Sequence, residues 1–123
     1  MDYLRSPINW PYPREMSKMS LSRTGARPLV GRVLLLGEGS VAGTGTTLHV
    51  YILRRERGGY IVYREHLTIW EGASDSRDAV LCDTPGAVLV ELGGDNMRPA
   101  EEEAWHEATR NDPAFAAINQ VEI

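Results

Sequence analysis

Residues 48–65 read LHVYILRRERGGYIVYRE, and this stretch decides the fold of the chain. Two β-rich runs, residues 48–54 and 60–65, flank a polar segment that ends in Gly58-Gly59. Glycine adopts positive φ without steric cost, so the pattern predicts a β-hairpin. Both faces of the two strands carry large apolar side chains, which favours a central position in a sheet over an edge.

Further strands are predicted on both sides of this hairpin. On the N-terminal side, residues 29–36 form an apolar run that predicts a strand, and residues 37–47 contain four glycines and are interpreted as a flexible connection. On the C-terminal side, residues 67–70 either extend the hairpin or form a short strand of their own. Residues 79–82 predict a fourth strand.

The clearest helix signal covers residues 98–111. Three glutamates lie in its first turn, where the helix dipole favours anions. Ala100, Ala104 and Ala108 form a stripe that predicts close packing on the sheet. Residues 113–118 are compatible with one more helical turn, and residues 121–123 alternate as in a terminal strand.

Residues 83–92 leave two interpretations open. Pro85-Gly86 suits a type II turn that leads into a strand from residue 87. Alternatively, Thr84 is the N-cap, Pro85 the first residue and Gly93 the terminating glycine of a short helix. We favour the helix.

These elements predict an α+β domain over residues 29–123. Its antiparallel sheet of four or five strands carries one or two C-terminal helices packed on one face. Residues 1–28 hold four of the seven prolines, interleaved with aromatic residues, and predict a flexible N-terminal arm. We expect this arm to be dispensable for folding, because proline-rich termini rarely bury backbone hydrogen bonds.

Composition favours a cytoplasmic protein without cofactor or metal. Cys82 is the single cysteine, which excludes an internal disulfide and zinc sites built on several thiolates. No apolar run approaches the roughly 20 residues of a membrane-spanning helix, and the N-terminus has no signal-peptide core. A sequence pI of about 5.3 makes nucleic acid an unexpected partner.

Charge is divided along the chain. Residues 1–66 carry ten Lys/Arg against five Asp/Glu, and residues 67–123 carry three against twelve. Such asymmetry is typical of proteins that bind a partner or associate with themselves, here as a homodimer. The candidate partner-binding residues are a basic cluster at the hairpin turn and an acidic cluster on the C-terminal helix: Arg54, Arg55, Arg57, Glu101, Glu102 and Glu103.

Patterns that would carry catalysis are incomplete. The glycine-rich segment lacks the lysine of a phosphate-binding loop, and Arg110 stands where the zinc motif His-Glu-x-x-His needs its second histidine. Glu103 and His106 would supply only half of a carboxylate-bridged metal site. Cys82 closes an apolar strand and is interpreted as a buried core residue.

Four short segments resemble a known family: VGRVL at 30–34, the hairpin, VLCD at 80–83 and the tail NQVEI at 119–123. The family consists of small, mainly actinobacterial proteins called EXLDI proteins after their C-terminal tail. Asn119 departs from the acid of that tail, and residues 1–28 do not match the ribbon-helix-helix-like segment of many members. The resemblance implies a strand-rich module with C-terminal helices and brings no assigned activity.

We therefore expect a non-enzymatic interaction or regulatory module. The alternative is a small enzyme or small-molecule binder with a cleft between the sheet and the helices. The aromatic residues that would line this cleft are Tyr51, Tyr63, Trp70 and Trp105.

Overall fold

A computed structural model of the chain describes residues 3–118 and confirms the α+β class. Five strands form one antiparallel sheet in the order β1-β2-β3-β4-β5. Three α-helices and one short 3₁₀ turn, Gly94–Asn96, follow the strands in the C-terminal part. The elements are β1 Ser17–Arg23, β2 Ala26–Ala42, β3 Thr46–Arg55, β4 Tyr60–Thr68, β5 Ser76–Cys82, α1 Pro85–Leu92, α2 Pro99–Asn111 and α3 Pro113–Ile118.

The predicted hairpin is confirmed as β3 and β4, at the centre of the sheet. Gly58 and Gly59 take φ of 104° and 80°, the positive values that the turn requires. The helical interpretation of residues 83–92 is also confirmed. The Thr84 hydroxyl accepts a hydrogen bond from the Ala87 N–H at 3.1 Å, and Gly93 ends α1 with φ of 113°.

Strand β2 is 17 residues long and serves two neighbours. Its first half pairs with β1, and from Val33 onward it pairs with β3. The β1–β2 ribbon curls back until the turn at its tip reaches β5. There the Thr24 N–H donates to the Arg77 carbonyl at 2.8 Å, and the Arg77 N–H donates to the Thr24 hydroxyl at 2.7 Å. The sheet is therefore strongly curled.

The prediction of a flexible connection over residues 37–47 is wrong, because residues 37–42 belong to β2. The glycines here are required by packing. A Cβ at Gly37 would lie 2.7 Å from the backbone nitrogen of Ala108 and still closer to the carbonyl oxygen of Ala104. A Cβ at Gly39 would lie 2.9 Å from the Ala104 nitrogen. The two glycines thus let the α2 backbone rest directly on β2.

The alanine stripe of α2 completes this contact. Ala100, Ala104 and Ala108 are fully buried, as their spacing predicted. With them, a first core fills the space between the sheet and the helices. Its buried side chains come from β2 to β5 and from all three α-helices and include Val50, Val62, Val88, Leu92, Trp105 and Phe115. The helices cover only this outer face of the sheet.

A second core occupies the inner face of the curl. It comprises Leu21, Val33, Leu35, Tyr51, Leu53, Ile61 and Tyr63, with Ile8, Trp10, Met19, Leu29 and Ala79 packed against it. The N-terminal segment thus contributes side chains to this core. The expected start of ordered structure near residue 29 is wrong, since β1 covers Ser17–Arg23 and β2 begins at Ala26.

The missed strand had a visible signal. In the sequence SKMSLSR, Met19 and Leu21 alternate with polar residues at the period of a strand. The four prolines of residues 1–28 favoured an arm over a strand, because this alternating pattern is short. Residues 3–16 follow the sheet without regular structure; the Leu4 N–H, for instance, donates to the Thr47 hydroxyl at 2.9 Å. The predicted terminal strand at residues 121–123 lies outside the described part of the chain.

Candidate functional site

The four predicted cleft aromatics lie in different places. Tyr51 and Tyr63 are buried in the second core with ring centroids 6.2 Å apart. Trp105 is buried in the first core against Phe115, at 5.2 Å between ring centroids. Trp70 follows β4, is exposed and donates its Nε1–H to the Thr44 carbonyl at 2.9 Å. The sheet separates Trp105 from the two tyrosines, and Trp70 lies on the surface, so the four residues do not line one cleft.

The three predicted acidic residues also differ. Glu101 is 4% exposed, and its carboxylate binds the guanidinium groups of Arg98 at 2.7 Å and Arg64 at 2.8 Å. Glu102 is exposed and lies 3.4 Å from the His106 ring. Glu103 is exposed and accepts a hydrogen bond from the Ser40 N–H at 3.2 Å. The charge of Glu101 is therefore satisfied inside the molecule.

Arg64 connects the sheet to two helices. Its guanidinium, on β4, donates to the Glu91 carboxylate at 2.9 Å and to the Glu91 carbonyl at 3.0 Å, at the end of α1. It also donates to Glu101, in the first turn of α2. Burial lowers the pKa of Arg64, but hydrogen bonds and charges from both glutamates raise the pKa by more. The network holds the helices on the sheet.

This network predicts a pH dependence of stability. Burial raises the pKa of Glu101, but the hydrogen bonds and charges of Arg98 and Arg64 lower it by more, so the folded pKa lies below the ordinary value. The charged Glu101 carboxylate therefore contributes its full stabilisation of the fold above the unfolded pKa of about 4.3. This contribution is lost as the pH falls from there through the lower pKa of the folded state. Urea unfolding between about pH 7 and about pH 3 should show Glu101→Gln approaching wild type in acid.

Glu102→Gln is the matched control, because its exposed partner contributes little. It should follow the wild-type curve throughout. A constant free-energy difference between Glu101→Gln and wild type across the pH range would contradict the role given to the Glu101 carboxylate.

A second buried polar cluster lies under the N-terminal segment. The Glu65 carboxylate is fully buried and accepts hydrogen bonds from the hydroxyls of Ser6 and Tyr51 and from the Arg77 guanidinium, the last at 2.8 Å. Burial first, then the charge of Glu65, raises the pKa of Tyr63 to about 12. The carboxylate is satisfied by three donors, and through one of them, Ser6, the cluster ties the N-terminal segment to the sheet.

Cys82 is buried, as its position at the end of an apolar strand predicted. Burial, with smaller contributions from Glu91 and Asp83, raises the pKa of its thiol. The thiolate, which is the reactive form, is therefore disfavoured.

An open groove of about 480 Å³ lies beside the turn that joins β3 to β4. It lies between the first half of β2 and the end of β5, where β3 passes into β4. Its lining residues are Lys18, Met19, Leu21, Leu29, Val30, Gly31, Arg32, Val33, Arg55, Glu56, Arg57, Ile61 and Leu81.

Positive charge dominates the rim of this groove. Four cationic side chains line it against one carboxylate. Arg32 binds that carboxylate, Glu56, at 2.7 Å. Within residues 3–118, Lys18, Arg55 and Arg57 form no ion pair, so three charges remain uncompensated.

The predicted arginine cluster is thus divided between two surfaces. Arg55 and Arg57 line the groove. Arg54 points to the helix side, where its guanidinium lies 3.8 Å from the Asp112 carboxylate. Lys18 and Arg32, distant in sequence from the hairpin, are cross-strand partners on the curled ribbon and were not predicted.

The floor of the groove is apolar. Leu81 is the most informative residue there, because it is the direct cross-strand partner of Ile61 and shares its face of the sheet. Ile61 is 4% exposed, whereas Leu81 is 54% exposed. Val30, which shares the face of Arg32 on β2, is also exposed. The second core therefore ends at the exposed Leu81, beside the cationic rim.

The lining carries no histidine, cysteine, serine, threonine or tyrosine, and its one carboxylate is paired with Arg32. Elsewhere in the described range 3–118, no cluster of three or more His, Cys, Asp or Glu side chains is placed to hold a metal ion.

In the part of the chain that the structure describes, no helix combines the length and the apolar character needed to cross a membrane. Comparisons with protein-family models, with curated proteins and with solved structures gave no match. The resemblance to the EXLDI family stays a prediction, and the tail at residues 119–123 on which it partly rests lies outside the described range.

Proposed function

We propose that this chain is a non-enzymatic binding module whose groove takes an acidic, partly apolar segment of a protein partner. One observation carries the proposal: three uncompensated cations, Lys18, Arg55 and Arg57, stand beside an open aliphatic floor. Burial of aliphatic side chains supplies affinity, and the cationic rim supplies attraction and selectivity for acids.

The lining favours a peptide over nucleic acid. Single-stranded nucleic acid is bound through aromatic stacking platforms, and the groove contains no aromatic residue. A volume of about 480 Å³ accommodates a few side chains of an inserted segment. We propose a foreign partner and not a second copy of the chain as the occupant. In a second copy, Glu101 of the acidic cluster would already be paired with Arg64 and Arg98 of its own molecule.

The proposal predicts binding of a seven-residue peptide of alternating Glu and Val, the length of β5. Fluorescence anisotropy with the labelled peptide measures its Kd. The variant R55E/R57E should weaken binding at least about tenfold, and affinity should fall between about 0.05 M and about 0.5 M salt. The control R5E/R110E makes the same charge change at exposed positions outside the groove and should bind as wild type.

Three outcomes overturn this function. The first is the absence of measurable binding by the Glu/Val peptide, or equally tight binding of a Lys/Val peptide. The second is displacement of the peptide by dodecanoate at equal or lower concentration, which assigns the groove to small amphipathic anions. The third is salt-sensitive self-association in sedimentation velocity that R55E/R57E abolishes, which makes a second copy the occupant.

A further inference from the structure

We propose that the bound segment adds to the sheet as a sixth strand, hydrogen-bonded to the free edge of β5 and lying along the first half of β2, on the edge opposite β1. This inference rests on the proposed function of the groove and specifies how recognition occurs. Its basis is the direction of backbone groups on the two strands that bound the groove.

The edge of β5 opposite β4 faces the groove. Within residues 3–118, β5 pairs only with β4. Both backbone groups of Arg77 face away from β4, because its N–H and its carbonyl bind Thr24. Backbone direction alternates along a strand, so the N–H and C=O groups of Ala79 and Leu81 face the same side as those of Arg77.

The first half of β2 offers a second open edge. Its pairing with β3 begins at Val33, and the Arg32 carbonyl accepts one further hydrogen bond from the Glu56 N–H at 3.0 Å. By the same alternation, the N–H and C=O groups of Val30 point in the same direction as the Arg32 carbonyl, which is away from β1. Val30 and Leu81 both line the groove, so the two edges border the same space.

The exposure of Leu81 supports a missing neighbour. A leucine on the inner face of a sheet is normally covered by the side chains of the next strand. Here Leu81 is 54% exposed although its partner Ile61 is buried. The Thr24–Arg77 contact closes the ribbon onto β5 at one point, and the groove occupies the gap that remains beside it.

Side-chain alternation then defines the segment. Residues of an inserted strand point in turn to the inner and outer face of the sheet. Inner residues meet the aliphatic floor around Leu29 and Leu81, and outer residues lie on the face of Lys18 and Arg32. Arg55 and Arg57 lie at the hairpin-turn end of the groove, where they meet acidic residues at one end of the segment. The recognised sequence therefore alternates aliphatic and acidic residues, and main-chain pairing supplies affinity as in other cases of strand addition.

Amide hydrogen exchange, read by NMR with the Glu/Val peptide at saturation, tests the pairing. The Ala79 and Leu81 amides should exchange at least about tenfold more slowly in the complex. The Val80 and Cys82 amides, which face β4, should not change, and the Arg77 amide, bound to Thr24, is a further control.

Two N-methylated peptides give an independent measurement. The amides of alternate residues point to opposite edges of a strand, so methylating all Val amides or all Glu amides blocks one edge at a time. At least one of the two peptides should lose binding. If the parent peptide binds while both methylated peptides bind equally well and Ala79 and Leu81 exchange unchanged, strand addition is refuted and the acidic-segment function stands. If the parent peptide does not bind, the function itself fails.

Discussion

A variant lacking residues 1–28 should lose cooperative folding. The deletion removes all of β1, the first residues of β2, and Ile8 and Trp10 from the second core. It also removes the Ser6 hydroxyl from the buried Glu65 carboxylate. Loss of a strand from a core of this size exceeds what a marginally stable domain tolerates. Circular dichroism during heating should show no sigmoidal transition, and the soluble yield should fall sharply.

A point variant tests the same contact in a chain that still folds. Leu21 is 2% exposed, so Leu21→Ala should lower the free energy of unfolding by about 2–5 kcal/mol. Val30 on the neighbouring strand is 63% exposed, and Val30→Ala should stay within about 0.5 kcal/mol of wild type. A truncated chain that unfolds at the full-length midpoint would restore the view that this segment is a dispensable arm.

Gly39→Val should be the most damaging substitution on the helix side of the sheet. The new side chain would meet backbone atoms of α2, namely the Ala100 carbonyl oxygen and the Ala104 nitrogen, which lack the freedom of a flexible side chain. Relief requires α2 to move away from β2 and opens the first core. We expect a loss of about 3 kcal/mol or more in urea unfolding, at the upper end of overpacking costs.

Gly31→Ala is the control for this substitution. Gly31 lies on the same strand, and a Cβ there meets nothing within 4 Å. Its unfolding midpoint should match wild type or rise slightly, because alanine restricts the unfolded chain. If Gly39→Val unfolds at the midpoint of Gly31→Ala, the close seat of α2 on β2 is refuted.

Local signals made part of this fold predictable. The Gly58-Gly59 hairpin, the capped helix α1 and the alanine stripe of α2 each depend on residues close together in sequence. The long strand β2 was not predictable in the same way. Its glycines look like loop residues until a helix from the far end of the chain is seen to require them.

The candidate site depended still more on topology. Arg55 and Arg57 were predicted because they are neighbours at a turn. Lys18 and Leu81 reach the same groove only because the β1–β2 ribbon curls across the sheet. Conversely, Trp105 and Tyr51 were predicted to line one cleft, but they lie on opposite faces of the sheet.

The cationic rim has a consequence for the chain at high concentration. An unprotected strand edge with exposed aliphatic residues is a template for edge-to-edge aggregation. A symmetric encounter of two such edges would bring Lys18, Arg55 and Arg57 of one copy against the same three residues of the other. Like charges facing each other oppose that encounter, so these three residues act as gatekeepers against edge-to-edge pairing of two copies.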